Sequence, residues 1–233
     1  MAIDVRRAAE RFHTKTEWLD SWHSFSFGPH HDPANTHHGL LLVSNDDVVL
    51  AGRGFGTHPH RDMEIVTWVL RGELEHRDST GTVGIIYPGL AQRMSAGSGI
   101  THSEMNASAT ADVHLVQMWV LPDTDGIAPG YEQRDLNEEL ASGELVPVAS
   151  GQGHAGAVTL HQRDAVLYAA RLEPGATVTI PDAPHVHLFV ALGSARLASD
   201  ELAAGDAVRF TDAGTPELHA GSDGAEILVW ATA

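Results

Sequence analysis

Four side chains in two short stretches have the types and spacing to hold a metal ion. One residue separates His58 from His60 in His58-Pro59-His60-Arg61-Asp62-Met63-Glu64, and one separates His102 from Glu104 in Gly99-Ile100-Thr101-His102-Ser103-Glu104. Alternate residues of a β-strand share a face, so each pair can project toward one point. Three imidazoles and one carboxylate brought together this way make a divalent-metal site with positions left over for substrate. The donor types, without thiolate, suit iron, manganese, nickel, copper or zinc. A closed tetrahedral zinc site would use all four ligands and be structural, whereas a six-coordinate iron site would leave two positions for substrate oxygen and dioxygen. A lone His-X-His is a weak signal in a chain with 16 histidines. The ensemble raises it: Glu64 four residues after His60, Gly72 at the next turn, Pro88-Gly89, then the second His–acid pair.

Holding two such strands together calls for a β fold, and the chain is patterned for one. Its 233 residues suffice for one large β domain or two of roughly 100–120 residues, each with its own core. From residue 52 to 121 short apolar runs, such as Ile65–Leu70 and Val113–Leu121, are punctuated by Gly and Pro, which predicts a sandwich or small barrel. Upstream, His23-Ser24-Phe25-Ser26-Phe27 alternates like a strand with Phe25 and Phe27 on one side, and the other clustered histidines read as surface loop residues. Ser44-Asn45-Asp46-Asp47 reads as a turn between two β-like runs, Gly39–Val43 and Val48–Ala51. Residues 122–150 break the rhythm, and Tyr131–Ala141 reads as one short helix in a connector.

The second half repeats the theme, with strands predicted at Ala165–Leu172, Thr177–Ile180, His187–Leu192, Ala207–Phe210 and Glu226–Trp230. The expected organisation is all-β: two tandem barrels, 1–121 and 151–233, joined by a short helical connector at 122–150. Laying Leu192-Gly193 on Arg71-Gly72 sets Thr179 against His58 and Pro181 against His60, and neither replaces an imidazole. His185 then falls on Glu64 and His187 on Val66, while His219 lies near the His102 position without a partner. The His185-X-His187 pair is therefore a decoy, and the rear barrel is expected to be metal-free.

Composition narrows the partners. Without cysteine there is no disulfide, no thiolate zinc site and no thiol nucleophile. The 31 acidic and 14 basic groups give a formal charge of -17, which disfavours direct binding of nucleic acid. No apolar signal region follows Arg6-Arg7, and runs such as Leu40–Val43 are too short for a bilayer. A soluble cytoplasmic protein is expected.

The segments His58-Pro-His-Arg-Asp-Met-Glu-Ile-Val-Thr, Leu74-Glu-His-Arg-Asp-Ser and Gln92-Arg-Met-Ser-Ala-Gly-Ser-Gly-Ile-Thr-His-Ser-Glu resemble the signature motifs of the cupin superfamily and, more narrowly, of the pirin family. Trp18-Leu19-Asp20-Ser21, His23-Ser-Phe-Ser-Phe and Asn45-Asp46-Asp47 resemble it as well. The likeness is dense over about residues 15–121 and thins afterwards to strand spacing and Gln162-Arg163-Asp164-Ala165. It implies a bicupin (jelly-roll) fold with metal in the N-terminal barrel only, Fe(II) as the ion, and His58, His60, His102 and Glu104 as its ligands. It also implies a quercetin 2,3-dioxygenase-type activity: a flavonol-like aromatic substrate and O2, with Glu104 taking the 3-hydroxyl proton, the ring opening through a bridged peroxide, and carbon monoxide leaving. The alternative it implies is a non-catalytic iron-binding regulator that binds a protein partner. A pirin-like bicupin can be a monomer, since its barrels already pack on each other.

One rival ligand stays open. Glu64 sits where the general cupin pattern puts its carboxylate, and its parity matches His58 and His60. In a straight strand it would lie about 13 Å beyond His60, so reaching the ion needs a bend or bulge. Glu104 needs none; Glu64 is then expected to be a hydrogen-bonding neighbour. Arg61 and Asp62 read as an ion pair or rim contact, and Phe55, Met63 and Met105 as candidates to wall a flat substrate.

Overall fold

The computed structural model describes residues 2–233. In chain order the strands are β1 (Ala2–Arg6), β2 (Phe12–Lys15), β3 (Leu19–His23), β4 (Leu41–Val49), β5 (Gly54–His60), β6 (Glu64–Arg71) and β7 (Leu74–Asp78). Then come β8 (Val83–Ile86), β9 (Leu90–Ser95), β10 (Ile100–Asn106), β11 (Val113–Val120) and β12 (Gly130–Asp135). A single α-helical turn, α1 (Asn137–Leu140), precedes β13 (Val146–Ser150), β14 (Val158–Thr159), β15 (Ala165–Leu172) and β16 (Thr177–Thr179). The last four are β17 (His185–Leu197), β18 (Asp200–Ala203), β19 (Ala207–Thr211) and β20 (Glu217–Thr232). No helix among these residues is long and apolar enough to cross a membrane.

Two sheets build the front unit: a seven-stranded one ordered β12-β9-β6-β11-β4-β3-β2, and a four-stranded one ordered β5-β10-β7-β8. Val49, Val69 and Leu115 of the first meet Leu74 and Ile86 of the second to form its core. The rear unit is a nine-stranded sheet running β1-β19-β17-β20-β15-β13-β14, with β16 on β20 and β18 on β17. Its core includes Leu188, Val190, Phe210, Ile227 and Val229. Strand β17 begins at His185, the residue that the duplication sets against Glu64 at the start of β6.

The uninterrupted apolar run of β6 follows from burial on both faces. Val69 faces the four-stranded sheet, while Val66, Trp68 and Leu70 face the rear unit and share a core with Val116, Met118, Leu167, Leu228 and Trp230. The Trp68 indole N–H donates to Glu226 Oε1 at 2.7 Å, and Arg171 holds the other Glu226 oxygen at 3.1 Å. Such an apolar seam, with Glu226 held by Trp68 and Arg171, fixes the two units on each other.

Three local expectations are corrected. The helix over Tyr131–Ala141 is confined to Asn137–Leu140, because residues 130–135 form a strand against β9. Pairing there covers what would otherwise be a bare sheet edge, and that outweighs the local pattern. Ser44–Asp47 is not a turn but the middle of β4. Its polar side chains find partners on both faces: Asn45 and Asp47 inward, and Asp46 with Arg11 and His114 on the other side. Finally, β3 ends at His23, and Phe25 and Phe27 part company. Phe25 enters the core between the units, whereas Phe27 turns back to the front cavity against Trp119.

Candidate metal centre

Strands β5 and β10 are antiparallel neighbours, and His102 stands directly opposite His58. Between His102 and Glu104 the register slips, so that Glu104 faces Phe55. Two residues of β10 thus span three of β5, a bulge that strengthens the local twist. Gly54 permits the close approach, since a Cβ there would collide with the backbone oxygen of Glu104. The result is convergence: ligand atoms of His58, His60 and His102 all lie within 4.8 Å of one another. Glu104 Oε2 is 4.0 Å from His102 Nε2.

Hydrogen bonds fix which nitrogens carry protons. His58 Nδ1 lies 2.7 Å from the Gly56 carbonyl oxygen, which can only accept, so His58 Nε2 is bare in the neutral ring. His76 on β7 donates from Nε2 to Asp78 Oδ2 at 3.0 Å, leaving its Nδ1 as an acceptor. His102 Nδ1, 3.3 Å away, is then the donor, and His102 Nε2 is bare as well. The two bare nitrogens face each other at 3.1 Å, and His60 Nε2 is buried without a partner. Burial, then the imidazoles of His102 and His58, pull His60 down to about 4. Burial, then His58 and His76, pull His102 down to about 3. An unpartnered His60 nitrogen beside these two bare ones, with no protein donor between them among the described residues, fits a cation and little else.

Glu104 is placed by a second chain of contacts. Trp119 Nε1 donates to Gln117 Oε1 at 3.0 Å, and Gln117 Nε2 donates to both Glu104 oxygens at 2.9 Å. Glu64 goes elsewhere. Its Oε2 accepts from the His161 N–H at 3.0 Å and stands 4.0 Å from Arg93, on the face of β6 turned to the rear unit. The shared parity with His58 and His60 fails because the chain changes sheets between them, at Asp62, whose φ is +47°. Asp62 accepts from the Gly126 N–H, and Arg61 forms no ion pair among the described residues. Both groups of converging donors found among those residues lie in the front unit.

Above the donors opens a cavity of about 280 Å³, into which His58, His60 and Glu104 face. That is near the lower end of small-molecule pockets, about 300–1,000 Å³. Phe55 lines it as expected, together with Leu19, Phe27 and Trp119. Met63 and Met105 do not: Met63 packs with Ile65 and Met94, and Met105 alternates away from Glu104 against Gly54. Sequence reasoning also passes over His76, Gln117, Ser21, His23, Asn45 and Asp47. The parity of Leu74, His76 and Asp78 was the available sign for the first, since Leu74 is fully buried.

Residues 4–120 match the family model described as Pirin, and residues 147–230 match the one described as Quercetinase C-terminal cupin domain. Quercetin 2,3-dioxygenase of Escherichia coli (strain K12) is 41% identical over 230 residues, 98% of this chain and 97% of that one. A Mycobacterium tuberculosis protein, provisionally named a quercetin 2,3-dioxygenase, is 60% identical over 98% of this chain and 94% of its own. The crystal structure of YhhW from Escherichia coli superposes with a TM-score of 0.91 at 38% identity, covering 100% of this chain and 98% of the other. The structure of bacterial pirin YhhW in complex with nickel(II) gives 0.89 at 38% identity, with 98% of both chains covered.

Proposed function

The chain belongs to the pirin family, and on that premise we propose that it is an oxidoreductase of the quercetin 2,3-dioxygenase type. In this reading His58, His60, His102 and Glu104 hold one divalent ion, Fe(II), and a flavonol with dioxygen gives the ring-opened ester and carbon monoxide. The observation that carries it is the convergence of three imidazoles beneath a cavity that admits a small flat aromatic molecule. When bound, the ion supplies a Lewis acid that favours the ionised substrate hydroxyl and a redox partner for dioxygen.

The protein's own groups do the rest. Glu104 accepts the flavonol 3-hydroxyl proton on a carboxylate oxygen. Gln117, anchored by Trp119, keeps that carboxylate aimed through its two donated contacts. Phe27, Phe55 and Trp119 hold the rings and exclude water from the electron-rich anion. Both ring nitrogens of His76 are committed, to Asp78 and to His102, so it orients a ligand rather than serving as one. A His76→Ala variant leaves His102 free to turn and is expected to weaken metal binding about 10–100-fold, read by chelator competition. Unchanged affinity would remove His76 from this role.

The test of the whole reading is direct. Protein loaded anaerobically with Fe(II) and then given quercetin and air should bleach the flavonol absorbance and release carbon monoxide in step. Loss no faster than in a metal-only control would sink the catalytic reading and leave a metal-binding regulator in its place.

A further inference from the structure

The cavity has a second polar wall, across from the metal donors, that the chemistry above does not use. His58, His60 and Glu104 project from the four-stranded sheet, while Ser21, Asn45 and Asp47 project from β3 and β4 of the facing one. Asn45 and Asp47 are each only 4% exposed. A directed chain of hydrogen bonds holds Asn45: His30 Nε2 to Thr14 Oγ1 at 3.0 Å, Thr14 to His23 Nε2 at 2.9 Å, and His23 Nδ1 to Asn45 Oδ1 at 2.9 Å. The amide oxygen is thereby used and the amide nitrogen left over. Ser21 donates its hydroxyl to Asp47 Oδ1, which leaves Oδ2. Neither Asn45 Nδ2 nor Asp47 Oδ2 meets a protein partner among the described residues, and both side chains line the cavity.

Asn45 Nδ2 and Asp47 Oδ2 therefore keep hydrogen-bonding capacity toward the cavity, open to a ligand's polar atoms. The lining also includes the apolar side chains of Leu19, Phe27 and Phe55. A ligand matching this lining is a flat aromatic that carries further hydroxyls besides its reacting oxygens. Resting on the flavonol reading, we propose that Asn45 and Asp47 form a specificity subsite that binds phenolic hydroxyls on the substrate ring remote from the reacting 3-hydroxyl. A phenol oxygen would accept from Asn45 Nδ2 and a phenol hydroxyl would donate to Asp47 Oδ2. Burial, opposed by the Ser21 hydroxyl, raises Asp47 to about 7, so near neutrality its free oxygen serves as acceptor or, when protonated, as donor. A site built to pair a substrate hydroxyl discriminates strongly against the analogue that lacks it.

The experiment compares quercetin with galangin, the same flavonol without hydroxyls on its pendant ring, in the Fe(II)-loaded wild type and in Asn45→Ala and Asp47→Leu. Metal content and melting temperature show that each variant is folded. The wild type should prefer quercetin at least tenfold in kcat/KM, and each variant should reduce that preference at least fivefold. In parallel, quenching of tryptophan fluorescence gives the dissociation constants of both compounds for the metal-free proteins, where the same preference and the same reduction are expected. Equal handling of the two flavonols by the wild type, or a preference that survives in both variants, overturns the subsite. If the loaded wild type binds quercetin selectively but turns over neither compound, the dioxygenase reading falls while the binding arm still decides the subsite.

Discussion

A His58→Ala/His60→Ala double variant should lose its iron and its flavonol turnover together, while remaining folded. Two of the four proposed donors vanish, and the remaining pair, His102 and Glu104, cannot enclose an ion. Turnover should fall to the level of iron free in buffer, and metal per chain should drop from near one to near zero after desalting. Stability should hardly move. Both histidines are only partly buried and belong to none of the apolar cores, so the expected loss is within about 1 kcal/mol. The measurements are elemental analysis, carbon monoxide release and a thermal melt on one preparation. Wild-type turnover by a variant without bound metal would end the metal-centred reading.

The second large effect is expected from Glu104→Gln. Removing a general base lowers the rate about 10²–10⁴-fold, and here the isosteric amide is worse than neutral. Gln117 already presents Nε2 to this position and cannot turn over without losing the Trp119 contact. The new amide must therefore offer its oxygen to Gln117 and turn its N–H₂, which cannot ligate, toward the histidines. Metal should still be retained by the three imidazoles, though less tightly, so kcat should fall far more than metal content. Stopped-flow absorbance of flavonol in the metal-loaded variant distinguishes the steps: the shift that marks the ionised flavonol should disappear. A kcat within threefold of wild type would show that the proton goes elsewhere.

Much of the centre was legible because it is local. His58 and His60, and His102 and Glu104, announce themselves by strand parity, and two adjacent antiparallel strands bring them together without help from distant chain. That Glu64 stands apart from the histidines was legible for the same reason: reach along a strand is a fixed length per residue. Its geometric cause was not, because nothing in Arg61-Asp62-Met63 announces that the chain leaves one sheet for another at a left-handed Asp62. Hidden too were His76 and the wall of Asn45 and Asp47. A polar residue inside a barrel looks in sequence like one in a turn, and only the facing sheet shows that its partners lie within. The wall's Phe27 was misplaced because Phe25 and Phe27 are separated by the bend after β3, not by strand alternation.

Strand β1 pairs antiparallel with β19, Ala2 opposite Thr211 and Arg6 opposite Ala207, and the following turn is pinned where Asp206 receives the Ala8 N–H and Arg7. During synthesis at roughly 5–20 residues per second, β1 waits on the order of 10–40 s for its partner to be made. The front unit can mature around its histidines in that interval, but the rear sheet must close last, trapping a leader that left the ribosome long before. A bulky fusion ahead of Ala2 would therefore burden maturation of the rear half, and would slow the appearance of native protein more than it harms the finished fold.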